Sequence, residues 1–198
     1  VMVSTREYQV GRWSVGENMS GTEWLSVSTP YVLPRSERQG DAWAEEAAQQ
    51  GGVGTQRLLS VGELMPAAHV AEALGVEDGE PVVARQRLML LDDRPVELTY
   101  SYYPVSIARN TPLAEPRKIR GGAVSLLAKL GYRPRRVRED VYTRQPDDAE
   151  RRLLDLTDRE WVLGLTRVSS TDHGRPVEVS VMTMVPWGRH LRYELSID

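Results

Sequence analysis

Two arginines set two positions apart, Arg85 and Arg87, stand in a run that reads as a β-strand, Val82 to Leu91. Alternate residues of a strand point to one face about 7 Å apart. Two guanidinium forks so placed can grip one anionic group between them. A return strand, Val96 to Tyr103, follows the turn Asp92-Asp93-Arg94. If those residues form a three-residue loop, Arg87 faces Thr99, Arg85 faces Ser101 and Met89 faces Glu97. The arginines then share one surface with Glu97, Thr99 and Ser101. A loop of two or four residues would present Leu98 and Tyr100 there instead, because a slip of one position turns every side chain over. The three-residue loop is the reading adopted. The plainer alternative is an amphipathic strand whose arginines sit in water.

Two further groupings could serve the same chemistry. Arg117-Lys118-Ile119-Arg120-Gly121-Gly122 leads into a helix ending near Leu130 and Gly131. A helix start offers unpaired N–H groups and the positive end of its dipole to an anion, and glycine lets a ligand approach the backbone closely. The plainer reading of Gly121-Gly122 is a turn. In Pro176 to Met184 the residues alternate, with Glu178, Ser180, Met182 and Met184 on one face and Val177, Val179, Val181 and Thr183 on the other. An acid on such a strand faces water or answers a buried partner.

The elements that must position these groups are legible from punctuation and period. Residues 1–40 read as irregular or short extended pieces, broken by Gly11, Gly16, Gly21, Pro30 and Pro34 and anchored by Trp13, Trp24 and Tyr31. Asp41 caps a helix running to Gln50, with Trp43, Ala47 and Ala48 inward. An extended run from Gln56 to Met65 precedes a Pro66-led helix that Gly75 stops. Val137 to Arg144 is a strand, and Asp147 caps a helix to Leu156. Trp161–Ser170, Val177–Val185 and Leu191–Ile197 make an antiparallel run. Short turns between strands imply a mostly antiparallel sheet, an α+β fold, with three helices covering one face. We divide the chain into a 1–50 arm or linker, without a complete DNA-binding domain, and a 51–198 domain that carries the groups named above.

Composition narrows the function. The chain has 198 residues, no cysteine and a formal charge of −3. The missing cysteines exclude disulfides and thiol catalysis and fit a cytoplasmic setting. The acidic balance argues against a free-standing DNA-binding module, which needs a basic excess. No apolar run is long enough to span a membrane. His69, His173 and His190 show no metal-ligand spacing, and no cofactor motif, Gly-x-Ser-x-Gly elbow or phosphate loop occurs. The chain opens on Val1 rather than Met, which suggests a piece or a processed product.

The stretch from Arg57-Leu58-Leu59 through Pro66-Ala67-Ala68-His69-Val70-Ala71 to Gly79-Glu80-Pro81-Val82-Val83-Ala84-Arg85-Gln86-Arg87 resembles the UTRA domain, the ligand-binding half of HutC-type GntR transcription regulators. The likeness continues through Asp92-Asp93-Arg94-Pro95-Val96-Glu97 to Ser101-Tyr102-Tyr103-Pro104 and covers roughly residues 55–198. It implies a chorismate lyase-like fold and a small anionic effector contacted by Arg85, Arg87 and Glu97. It also implies a helix-start contact at Gly121 and Gly122, where relatives carry a serine, and a contact from Glu178 beside Ser180 to ligand hydroxyls or amines. Where many relatives carry an Arg-Gly-Asp-Arg-Tyr-like segment, Met184-Val185-Pro186-Trp187-Gly188-Arg189 stands here, which removes polar contacts suited to amino-sugar phosphates. The expected function is effector sensing by a homodimer, with DNA reached through a winged helix not recognisable in this chain, and no enzymatic activity. Two alternatives stay open. One is a lyase or hydrolase on a small carboxylate using Glu97 or Glu178 as acid and base; the other is a ligand-free dimerisation module.

Overall fold

The computed structural model describes residues 24–36 and 39–194. The expected anchor Trp13 and the end of the last expected strand, 195–197, lie outside the described residues. In chain order the elements are β1 (Trp24–Val27), α1 (Thr29–Val32), α2 (Ala42–Gln49), β2 (Gly54–Leu64), α3 (Ala68–Leu74), β3 (Val82–Leu91), β4 (Arg94–Pro104), α4 (Val105–Ala108), a 3-10 turn (Pro112–Ala114), α5 (Gly122–Lys129), β5 (Arg136–Arg144), α6 (Asp148–Leu153), β6 (Val162–Ser170), β7 (Pro176–Met184) and β8 (Arg189–Arg192). Six strands form one sheet in the order β2-β3-β4-β7-β6-β5, and every neighbouring pair is antiparallel.

Helices lie on both faces of this sheet rather than one. Val70 and Leu74 of α3 pack on Val82, Val168 and Val179, and Leu154 beside α6 packs on Leu88, Leu98 and Val162. On the opposite face Val83 and Tyr103 meet Ile107 and Ala108 of α4 and Leu127 of α5. The reason is in β3 itself, where Val82, Val83, Ala84 and Arg85 are all buried. Successive side chains point to opposite faces, so a strand buried at every position needs cover on both sides.

The β3–β4 hairpin reaches the expected pairing by a different turn. Arg85 pairs with Ser101, Arg87 with Thr99 and Met89 with Glu97. The loop, however, is the two residues Asp92 and Asp93, both left-handed with φ of 49° and 62°, the conformation that matches strand twist. A register shift after Met89, where Leu90 pairs with Pro95, adds the extra residue that the third loop position was expected to supply. The bulge at Val96 thus restores the face that a two-residue loop alone would have inverted.

Helix ends follow local chemistry. The Asp41 carboxylate caps α2 by accepting from Trp43 N at 3.0 Å. Asp147 and Glu150 form a reciprocal capping box on α6. That helix stops at Leu153, short of the expected Leu156, because Asp155 turns left-handed with φ of 54°. The last strand differs more. β8 pairs in parallel with β1, Trp24 opposite Arg189 and Val27 opposite Arg192, whereas an antiparallel run from Leu191 was expected. The leading segment therefore lies beside the chain's end, and Trp24, Trp43 and Met89 close a small core together.

Candidate ligand-binding site

On the face covered by α4, α5 and the leading segment, β3, β4 and β7 bring five polar side chains into one row. Arg87 Nη2 donates to Ser101 Oγ at 3.0 Å, Ser101 and Ser180 hydroxyls lie 2.9 Å apart, and Ser180 donates to Glu178 Oε1 at 3.2 Å. Ser180 has one proton and gives it to the carboxylate, so Ser101 is the donor in the serine pair. Tyr103 closes the row from the other side, donating to Glu178 Oε1 at 2.7 Å. Burial pushes the Tyr103 phenol well above its ordinary range, and the Glu178 charge pushes it further; it stays protonated and remains a donor. The row is cationic at Arg87 and anionic at Glu178.

The cavity above this row has a volume of about 490 Å³. Leu58, Met89, Tyr31, Trp43 and Ile119 supply apolar wall, and Lys118, Arg120, Gly121 and Gly122 supply the rim at the start of α5. Both glycines have positive φ, 75° and 80°, a conformation that costs other L-residues about 1–2 kcal/mol. The apparent doublet of a simple turn is thus a backbone requirement that delivers the first turn of α5 to the cavity.

Arg85 and Arg87 share the face but are not equivalent. Arg85 is 3% exposed, and its Nη1 donates to the carbonyls of Leu113 and Glu115, both at 2.8 Å, and Pro112 at 3.4 Å. Its Nη2 donates to the Arg117 carbonyl at 2.7 Å. The guanidinium therefore holds the 112–117 loop that leads to Gly121, while its flank lines the cavity. Arg87, by contrast, has one protein partner for its terminal nitrogens, and its buried Nε has none among the described residues.

Glu97 shares the sheet face and not the cavity. Its Oε2 accepts from Arg189 Nη1 at 2.9 Å and its Oε1 from Thr99 at 2.7 Å. Arg189 sits 4.2 Å from the Trp24 ring centre, and Glu97 lines a separate void of about 40 Å³. The Trp24–Trp43 contact, ring centres 5.1 Å apart, stands over this end of the hairpin. Glu97 and Glu178 consequently do not face one another across a common space, and a two-carboxylate acid–base arrangement is not assembled there. Among the described residues no group of three or more His, Asp or Glu side chains could hold a metal ion.

Several contacts at the site carry no signal in the sequence. Ser125, in the first turn of α5, accepts from Arg35 N at 2.9 Å and donates to Arg35 O at 3.1 Å. Asp41 bridges Lys118 at 2.8 Å; burial raises the Asp41 carboxyl, but Lys118 and its other donors outweigh that and hold it below its usual value. Together these contacts seat the leading segment as a roof, with Pro30, Tyr31 and Leu33 on the cavity side. The contacts join residues 90 positions apart (Arg35 and Ser125) and 77 apart (Asp41 and Lys118), and no periodicity or motif carries such a signal.

The family model described as the UTRA domain matches residues 49–186. Over 129 residues the chain is 33% identical to an uncharacterized HTH-type transcriptional regulator of Streptomyces coelicolor, covering 64% of this chain and 48% of that protein; it spans about half the length of this relative. Among solved structures it is similar to PhnF from Mycobacterium smegmatis, with a TM-score of 0.71 at 19% identity over 89% of this chain and 73% of that one. It is also similar to the effector domain of the same protein, with a TM-score of 0.67 at 22% identity over 83% of this chain and 99% of that one. At such identities the likeness speaks for the fold alone.

Proposed function

The chain belongs to the UTRA domain family, the effector-binding domain of GntR-family regulators, and on that premise we propose that it senses a small anionic effector in the cavity over β3, β4 and β7. The observation that carries this reading is the buried row from Arg87 to Glu178 beneath about 490 Å³ of space. Among the described residues Arg87 keeps a donor and Glu178 an oxygen without a hydrogen-bond partner, which suits a ligand with an acidic group at one end and a hydroxyl or amine at the other. Arg87 and the first turn of α5 take the acidic group; Gly121 and Gly122 allow its approach. Glu178, with Ser180, orients the other end. Arg85 acts mainly by holding the loop before α5, and Glu97 by anchoring Arg189 beneath the leading segment.

The leading segment gives the site its output. Because Tyr31 and Leu33 line the cavity and Arg35 is bonded to the first turn of α5, a ligand that prefers one seating of this segment shifts its position. In the parent regulator that shift reaches a DNA-reading winged helix not recognisable in this chain, working in the cytoplasm as a homodimer. No helix among the described residues is long and apolar enough to cross a membrane.

A thermal-shift panel of inorganic phosphate, sugar phosphates, phosphonates and short carboxylates tests the reading. A ligand present at 100 times its Kd stabilises by about 2.7 kcal/mol, or roughly 5–10 °C for a chain of this size. The parallel assay is product formation. Stabilisation without conversion supports sensing, conversion supports a lyase or hydrolase, and no response from any anion refutes an anion site.

A further inference from the structure

The hydrogen-bonding capacity left in the cavity is gathered on one side. Arg87, Ser180 and Glu178 make its polar floor, and α5 begins beside it at Gly121 and Gly122. The remaining charged groups around the space are committed to the protein or stand at the rim. Arg35 donates to the Gly40 carbonyl at 3.1 Å and pairs with Glu45. Asp41 accepts from Lys118, Gln56 and Trp43 N. Arg167 pairs with Glu139 and donates to Ser28, Arg85 holds its four carbonyls, and Arg120 is exposed.

The side of Arg87 away from Glu178 is apolar, and the strand register shows why. Leu58 of β2 is the cross-strand neighbour of Arg87. Met89 follows Arg87 on the same face of β3, and Trp43 packs against Met89. The roof adds Tyr31 and Leu33. Both aromatic side chains keep their polar atoms for the protein. Tyr31 donates its hydroxyl to Glu46 at 2.8 Å, and Trp43 Nε1 donates to the Thr55 carbonyl at 2.9 Å and the Leu90 carbonyl at 3.2 Å. Gln56 is the polar side chain on this side, and its amide nitrogen is committed to Asp41. Leu33, by contrast, lines the cavity while 54% exposed. A ligand hydroxyl placed here gives up water and gains little in exchange. A methylene buried here strengthens binding about fourfold.

We propose that the effector is an amphiphile, in which an anionic group with a neighbouring hydroxyl or amine carries an aliphatic or aromatic body. The head lies from Arg87 to Glu178, and the body lies on Leu58 and Met89 beneath Leu33. A polyhydroxylated sugar acid or sugar phosphate does not fit that division. This rests on the anion site of the preceding section and names the class of ligand that site takes.

The test compares ligands matched in head and carbon number but not in body, by isothermal titration of the whole chain. One pair is hexyl phosphate and glucose 6-phosphate; the other is hexanoate and gluconate. In whichever pair binds, the apolar member should be tighter by about tenfold or more. Leu33→Asn should cut that ratio to about threefold or less, and Leu33→Met, which keeps an apolar side chain there, should preserve it. Leu33 is exposed, and melting temperatures verify that both variants fold. Arg87→Met should weaken both members of the pair, because they share a head. Hexyl phosphate or hexanoate binding that Arg87→Met leaves intact is adsorption outside the cavity and overturns the proposal. Equal affinities within the pair, or a tighter polyol, overturn the apolar body and leave the anion site standing. Binding of inorganic phosphate with silence from all four probes does the same. Silence from inorganic phosphate and all four probes refutes the anion site and this proposal together.

Discussion

The two strand arginines should fail in opposite ways when shortened to methionine. Arg85 serves four carbonyl oxygens, those of Pro112, Leu113, Glu115 and Arg117. One buried acceptor left without a donor costs about 1–3 kcal/mol. Four that share a guanidinium are not additive, and Pro116 and Arg117 of the loop are exposed, so water reaches part of it. We therefore expect Arg85→Met to cost about 3–4 kcal/mol. At about 2–4 °C per kcal/mol for a chain of this size, the melting temperature falls by about 10 °C. Arg87 gives up one bond to Ser101, so Arg87→Met costs about 1 kcal/mol, about 3 °C. The assay is differential scanning fluorimetry of both variants with and without inorganic phosphate and with the best anion of the panel. Arg87→Met should melt near the parent temperature and lose at least tenfold in anion affinity. Arg85→Met should melt early yet keep a measurable anion response at low temperature. If Arg85→Met melts like the parent while its anion response vanishes, the division of labour drawn from the hydrogen bonds is wrong, and both arginines act as a ligand clamp.

Other outcomes follow from neighbouring contacts. Ser125→Ala removes both bonds to the Arg35 backbone and should expose residues 33–36 to faster hydrogen exchange while leaving the exchange of β7 unchanged. Arg189→Met leaves the Glu97 carboxylate, whose side chain is 14% exposed, without its cation; the expected loss is about 3–5 kcal/mol, read by chemical denaturation. Glu97→Gln should cost less, because a neutral amide tolerates the same burial. In acid, Glu139 and Glu150 matter together: burial raises each carboxyl, but Arg167 and Arg144 respectively, with further donors, bring both below the ordinary glutamate value. A carboxyl with a depressed folded pKa contributes stability above its unfolded pKa and loses it as pH falls through the folded one. Melting temperature should therefore be level from pH 6 to 8 and decline below about 4.5. Glu139→Gln should flatten part of that decline; an unchanged slope would deny Glu139 its place in it.

Much of the fold was written in local signals. Asp41, Gly75 and the Asp147–Glu150 box mark helix ends through bonds or backbone angles confined to a few residues. The alternation of Glu178, Ser180, Met182 and Met184 was correctly legible as one face because a strand's period is 2. The pairing of Arg85 with Ser101 was legible too, although the Asp92-Asp93 turn reaches it through a bulge at Val96. A sequence counts residues in a turn but does not say which of them the ladder will absorb.

What tertiary structure alone decided is how each side chain's bonding capacity is used. By sequence Arg85 and Arg87 are the same residue in the same pattern; the 112–117 loop folds onto one and leaves the other open. Glu97 and Glu178 were equal candidates until Arg189 and Trp24 closed over the first. The roof of the cavity, held by Arg35 on Ser125 and Asp41 on Lys118, comes from residues outside the matched 49–186. Strand period and helix caps are short-range and survive in the sequence. The partner of a buried charge is set by chain segments that meet only after folding, and no local pattern encodes it.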